Sequence, residues 1–245
     1  MIASRDGCKK TVLAVLAVLA IAVSTSSAHY LWVSVDGKSA AKGTVNVYFE
    51  DGAAPGNGEY LEPVIKNGKT WIRTLANPKP TLIPMKDTRQ GKLRWLTAPL
   101  TEGAPRSIDS YGKFGVYRYG KTDVLLHYYA RFLQVDSHEE LHELSRAKHL
   151  NLDIVPHDHA DEMELTVLWR GKPATDRIVH VRGPKGLAAN PKTDKKGRVR
   201  FTITDAGKYV FRTNVEESAT GNDGGKDYVL IRHHATMLMT LPLSK

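Results

Sequence analysis

Histidine offers the most chemistry in this 245-residue sequence, which contains ten histidines and one cysteine. The segment His138-Glu139-Glu140-Leu141-His142 fits the H-E-x-x-H pattern. In that pattern two histidines one helical turn apart bind zinc and the glutamate activates water for peptide hydrolysis. His149 is the nearest candidate for a third ligand. No metzincin glycine follows, so the alternative, a solvated amphipathic helix, ranks ahead of a zinc protease.

A second histidine group is His157-Asp158-His159, which follows Pro156 and precedes Asp161 and Glu162. Alternating imidazole and carboxylate groups can collect a divalent ion weakly. We interpret the segment as a polar loop, and such a loop is more often only solvated. The alternative is a loop that passes a metal on rather than holding it.

The first 28 residues have the pattern of a secretory signal peptide. A basic start precedes a 13-residue apolar run, Thr11 to Val23, and small residues end at Ala28. The apolar run is shorter than the ~20 residues that a membrane-spanning helix needs. We therefore expect an exported protein, in the periplasm, with no span after cleavage; an uncleaved N-terminal anchor is the alternative.

Cleavage after Ala28 would make His29 the first residue of the mature chain. Its α-amine and imidazole would then form a chelate suited to nickel, copper or cobalt. His127 and one of His233 and His234 are further nitrogen donors for such a site. Neighbouring strand residues point to opposite faces, so only one of the last two can join it. The alternative is a set of unrelated surface or core-edge histidines.

Composition excludes several classes of protein. With 41% apolar and 25% charged residues, the chain is neither collagen-like, nor disordered, nor a disulfide scaffold. The net charge of +9 is diffuse, and its one dense basic run, Lys192 to Arg200, has no aromatic residues for stacking on bases. We interpret this run as a solvated turn and expect no nucleic-acid partner. Nucleophile-elbow, Walker, Rossmann and CxxC motifs are absent from the sequence.

The elements that position these residues are mostly short strands rich in β-branched and aromatic residues. The pattern predicts an all-β fold of two β-sandwich domains, 29–149 and 150–245, the second immunoglobulin-like or transthyretin-like. One short helix is expected over His138 to Lys148, because Ser137 and Glu140 form a capping box. Asp51 to Asn57 and Asn77 to Pro84 are expected to be loops. Glu59 to Ile65 fits a short helix or a strand. The strands are expected at 30–35, 43–50, 70–75, 92–96, 112–119, 124–135, 150–156, 164–169, 178–182, 198–204, 207–216 and 228–241.

Four short motifs occur in order along the chain. They are Ala28-His29-Tyr30-Leu31-Trp32, Leu152-Asp153-Ile154-Val155-Pro156, Leu168-Trp169-Arg170-Gly171-Lys172-Pro173, and His234-Ala235-Thr236-Met237-Leu238. A T-D-x-x-G turn at Thr193 to Gly197 lies between the last two. Together these motifs resemble the exported domain-of-unknown-function family often labelled as a periplasmic component of nickel or cobalt uptake systems. The sequence departs from it by Asp153 in place of the usual glutamate, and by His233-His234 where His-Tyr is common.

The resemblance implies a non-enzymatic accessory protein that binds nickel or cobalt and serves a membrane transporter component. It also favours His234 over His233 as the matching histidine. We therefore expect a metal site formed by His29, His127 and His234. The runner-up is a cell-envelope structural or interaction module in which no histidine acts, and the zinc protease is third.

Overall fold

The computed structural model describes residues 29–37, 42–159 and 161–243. The predicted signal peptide, residues 1–28, lies outside the described residues. The first half contains β1 (Tyr30–Asp36), β2 (Thr44–Glu50), α1 (Glu62–Asn67), β3 (Lys69–Thr74), β4 (Thr81–Ile83), β5 (Lys86–Gln90), β6 (Leu93–Pro99), β7 (Arg106–Tyr119), β8 (Thr122–Gln134) and α2 (His138–Leu144). The second contains β9 (Leu152–His159), β10 (Glu162–Trp169), β11 (Lys172–Pro173), β12 (His180–Arg182), β13 (Ala188–Ala189), β14 (Arg198–Thr202), β15 (Gly207–Glu217), β16 (Gly221–Asp223), β17 (Lys226–Tyr228) and β18 (Leu230–Leu241), with a 3-10 turn at Pro184–Gly186. The predicted all-β class is confirmed.

An eight-stranded sheet forms the centre of the fold, in the order β13-β12-β15-β18-β8-β7-β3-β4. β18 is antiparallel to β15 on one side and parallel to β8 on the other. Hydrogen bonding therefore continues across the boundary predicted near residue 150. Among the described residues no helix is long and apolar enough to cross a membrane.

Two smaller sheets cover the opposite faces of the central sheet. One has the order β1-β2-β6-β5, and the other groups β9, β11 and β14 around β10. Alternation along β8 shows the arrangement, because Leu126 and Tyr128 belong to the core under β1 and β2, whereas Tyr129 and Leu133 belong to the core under β10. The molecule thus has three layers of sheet and two cores.

Two local predictions need correction, and one alternative left open by the sequence is resolved. The helix predicted to end at Lys148 ends at Leu144, because Arg73 donates to the carbonyls of Glu143, Leu144 and Arg146 at 2.7–2.9 Å and so binds the last turn. The loop predicted over Asn77 to Pro84 contains β4, which pairs with β3. The undecided segment Glu59 to Ile65 contains the start of helix α1.

Two other local predictions are confirmed. Helix α2 begins at Ser137, whose side chain accepts a hydrogen bond from the Glu140 amide at 3.3 Å. The turn at 194–197 closes with a positive φ at Gly197, and the Asp194 carboxylate accepts the Lys196 and Arg198 amides. A Cβ at position 197 would lie 2.8 Å from the Val167 carbonyl oxygen, so the turn requires glycine there.

A buried arginine connects the two halves of the chain. The Arg131 side chain on β8 is 1% exposed and forms ion pairs with Asp109 on β7 at 3.0 Å and Asp153 on β9 at 2.8 Å. It also donates to the Ser107 hydroxyl and to the carbonyls of Leu144, Ser145 and Ile154. The two carboxylates keep the guanidinium charged despite its burial. Strands β7, β8 and β9 and the end of α2 are held by this one group.

Replacing Arg131 with methionine should lower the free energy of unfolding by about 3–5 kcal/mol, because two buried carboxylates would lose their counter-charge. Urea denaturation monitored by tryptophan fluorescence measures this loss. The control is Arg118→Met, which removes an exposed ion pair with Asp123 and should cost at most about 1 kcal/mol. Equal losses in the two variants would contradict the role given to Arg131.

Candidate metal centre

The surroundings of His29 follow from strand pairing. β1 and β2 pair antiparallel with Tyr30 opposite Glu50, so His29 lies across from Asp51. Its Nε2 atom is 3.6 Å from Glu50 Oε2, and its Nδ1 atom is 3.6 Å from Asp51 Oδ1. The side chain is 23% exposed. Sequence reasoning assigned Asp51 to a loop and did not include either carboxylate; an antiparallel β1–β2 pairing would have been the signal.

Each distance fits a metal ion that bridges one ring nitrogen to one carboxylate; because Nδ1 and Nε2 of a ring point away from each other, one ion could not bridge both pairs. A separation of 3.6 Å exceeds that of a hydrogen bond. Two ligands held at about 2.1 Å by one tetrahedral ion lie roughly 3.4 Å apart. The Glu50 carboxylate is fixed in place because its Oε1 accepts the Gly58 amide at 3.1 Å. The ring of Tyr60 meets the His29 ring edge-on with centroids 5.0 Å apart, so the imidazole lies between an aromatic wall and two carboxylates.

His234 faces the same core as β1. The hydroxyl of Thr236 donates to the Leu31 carbonyl at 2.6 Å, which ties the strands two residues after each histidine. The ring of Tyr30 lies edge-on to His234 with centroids 5.4 Å apart, and Tyr128 stacks on it at 5.0 Å. Its Nδ1 atom is buried and has no hydrogen-bond partner among the described residues.

Burial makes this imidazole a neutral group. It lowers the pKa of His234 to about 3, with smaller contributions from the neighbouring cations, Arg232 first. A neutral ring with an unpartnered nitrogen is a donor prepared for a cation or for a polar ligand. The His234 nitrogen is thus available to a polar partner, although Arg232 and Arg212 place positive charge nearby.

His127 lies on the opposite face of the sheet from His234. In the parallel pairing of β8 with β18 its partner is His233, and the two rings stack with centroids 5.0 Å apart. Its Nδ1 atom is 2.8 Å from the Tyr111 hydroxyl. The structure thus leaves His127 on the face opposite His234. The ring of His234 contacts Tyr30, whereas the polar neighbours of His29 are Glu50 and Asp51.

His233 has a structural environment. Its Nδ1 atom is 3.1 Å from the Tyr129 hydroxyl, its Nε2 atom is 2.8 Å from Glu217 Oε1, and the Trp169 ring packs 4.3 Å away. Both nitrogens are therefore used. Burial lowers the pKa of His233, against the opposing effect of Glu217, and burial also lowers the pKa of His127 to about 4.

The residues of the H-E-x-x-H motif are not arranged around one ion. His138 binds Asp158 at 2.7 Å, whereas His142 is 69% exposed and lies beside Glu143. His149, the candidate third ligand, packs against Trp71 with ring centroids 5.0 Å apart.

The segment His157-Asp158-His159, predicted to be a loop, is the end of strand β9, because His159 still pairs with Glu162 of β10. Across the residues that the structure describes, no three His, Cys, Asp or Glu side chains are arranged to hold a metal ion.

Acid should destabilise the protein through its buried histidines. The pKa of His234 is lower in the folded chain than the ~6.5 of an unfolded one. The unfolded state therefore takes up the proton first, and stability present at pH 7 is lost as the pH falls below 6.5. For this one group the loss reaches about 2 kcal/mol at pH 5.

The variant His234→Phe keeps an aromatic ring but removes this titration. Urea unfolding at pH 7 and pH 5 should show a smaller fall in stability for the variant than for the wild type; His127 and His233 supply the remaining fall. His142→Ala, at an exposed position, should leave the fall unchanged. The same pH dependence in His234→Phe and in the wild type would refute the assignment.

Comparison with known proteins gives a family but no activity. A solved fragment of alpha-2-macroglobulin from Escherichia coli, spanning domains NIE-MG1, is 11% identical, with 89% of this chain and 99% of that chain covered and a TM-score of 0.24. A pullulanase from Anoxybacillus sp. LM18-11, complexed with maltotriose, is 9% identical, with 76% and 23% covered and a TM-score of 0.18. Likenesses this distant say nothing of function. No curated protein matches the chain. The family model "Domain of unknown function (DUF4198)" matches residues 26–217, and the chain therefore belongs to the DUF4198 family.

Proposed function

We propose that this protein is an exported, non-enzymatic accessory that binds a divalent transition metal ion, nickel or cobalt, and presents it to a membrane transporter component. The observation that carries the proposal is the His29 imidazole, whose two nitrogens each lie 3.6 Å from a carboxylate oxygen on the neighbouring strand end. The ion is cargo, and copper is the competing ion for the same donors.

The ligand set consists of one residue's main chain and side chain together with a carboxylate. Removal of residues 1–28 would free the α-amine of His29, which can close a chelate ring with Nδ1. Asp51 Oδ1 lies next to that same nitrogen. Two side chains and one amine thus supply three donors. Nitrogen donors favour nickel, cobalt and copper over magnesium and calcium.

The electrostatics support a divalent cation at this position. Glu50 and Asp51 place two carboxylates beside one imidazole, although the full chain carries a net charge of +9. The partial exposure of the His29 side chain leaves a route for the ion to enter and leave. Such a site suits transfer better than permanent storage. We assign a supporting role to His234, whose buried ring contacts Tyr30 and has one unpartnered nitrogen in the described chain.

The first test uses a tag-free chain beginning at His29, verified by mass spectrometry, and titrated with NiCl2 by isothermal titration calorimetry. His29→Ala, and a variant with one glycine added ahead of His29, should each weaken binding at least tenfold. Asp51→Asn removes a charged donor at nearly constant size and should weaken binding by a smaller factor. Affinity should also fall below about pH 6, because ligating nitrogens must be deprotonated.

The matched control is His180→Ala. His180 binds Asn190 at 2.7 Å in the second half of the chain, away from the site, and its replacement should leave the affinity unchanged within twofold. Equal losses from His29→Ala and His180→Ala would overturn the site. A wild-type chain that takes up no nickel, cobalt or copper would overturn the function and favour the envelope interaction module.

A further inference from the structure

Two histidine motifs that are separate in the sequence meet at one edge of the molecule. His138 begins helix α2, and His157, Asp158 and His159 end strand β9. The rings of His138 and His157 have centroids 5.5 Å apart at an interplanar angle of 70°. The rings of His157 and His159 have centroids 4.6 Å apart at 71°. The three imidazoles form what we call the edge cluster.

The fold holds the backbone of the edge cluster firmly. The Ser137 cap fixes the start of α2, and Leu141 and Leu144 of that helix are buried against the core. His157 and His159 are two residues apart on β9, so both point to the same side of the strand. Pairing of His157 with Glu164 and of His159 with Glu162 continues the β9–β10 hairpin to its tip.

The separations of the His157 ring from each of its two neighbours fit ligation of one ion. An imidazole nitrogen held at about 2.1 Å places its ring centre roughly 3.2 Å from the metal, so two rings at a tetrahedral angle have centres roughly 5.2 Å apart. The two separations in the edge cluster, 5.5 and 4.6 Å, lie on either side of this distance. The side-chain nitrogens do not converge in the structure as it stands, so binding requires rotation of these side chains.

Asp158 supplies the support that metal-binding histidines commonly have. Its Oδ1 atom is 2.7 Å from His138 Nδ1. A carboxylate at this position accepts the proton of Nδ1, orients the ring and leaves Nε2 as the ligand nitrogen. Glu139, next to His138 in the sequence, and Glu162, opposite His159 in the strand pairing, add negative charge beside the cluster.

We propose that the edge cluster is a second site for a divalent transition metal ion such as zinc or nickel, with His138, His157 and His159 as ligands and Asp158 orienting His138. The site is independent of His29 and needs no free α-amine. It would let the protein take up an ion at its surface even while the signal peptide is attached. Three imidazoles favour zinc, nickel and copper over the hard cations.

The test is carried out in the His29→Ala background, which removes the first site. The tag-free chain that begins at residue 29 is titrated with ZnCl2 and with NiCl2 by calorimetry. His29→Ala alone should retain one binding event. Adding His157→Ala and His159→Ala should weaken that event at least tenfold. Adding His142→Ala instead, on the same helix but outside the cluster, should leave it within twofold.

The outcomes separate the two metal proposals. Loss of all binding in His29→Ala alone would overturn the edge cluster and leave the His29 site standing. Binding that persists in the His157→Ala/His159→Ala chain, or that is lost equally in His142→Ala, would also overturn the edge cluster. Circular dichroism and urea unfolding of each variant confirm that the fold is retained. A spectroscopic check is the shift of the His138, His157 and His159 imidazole resonances on addition of ZnCl2, which the cluster requires.

Discussion

The parallel pairing of β18 with β8 is the constraint on which the rest of the structure depends. Parallel strands cannot be joined by a hairpin, so the chain between them must cross over before returning. Here residues 135–229 form that crossover and build the second core as they do so. β18 then lies between β15 and β8, and both four-stranded sheets pack against one continuous central sheet.

This pairing also decides which histidines share a face. The register places His233 beside His127 and His234 beside Tyr128. Strand alternation then sends the first pair to the core under β10 and His234 to the core under β1. Sequence alternation alone indicates that only one of the tandem histidines can join His29. It does not reveal that His127 pairs with the other one, because the register between strands some hundred residues apart is set by tertiary packing.

Local signals explain why some elements were predictable and others were not. Ser137 and Gly197 carry their information locally, the first in a hydroxyl that caps the helix and the second in the lack of a Cβ that permits a positive φ. The start of α2 and the turn before β14 therefore follow from sequence. The end of α2 depends on Arg73, whose contact with the last turn spans about seventy positions. The carboxylates beside His29 were missed for a related reason. Asp51 begins a loop by composition, and only the register of β1 with β2 brings it to His29.

The buried polar groups divide into those that are fully paired and those that are not. Arg131 is surrounded by two carboxylates, a hydroxyl and carbonyls. Because the chain's one cysteine precedes the described residues, these bonds join the layers there without a disulfide. His233 has both nitrogens bound, so its polarity is used within the fold. His234 is nearly as buried, yet one nitrogen has no partner in the described chain. A group of this kind costs stability unless something binds it. Tyr30 and Tyr128 enclose the His234 ring without offering its Nδ1 atom a hydrogen bond, so the fold bears that cost within the described chain.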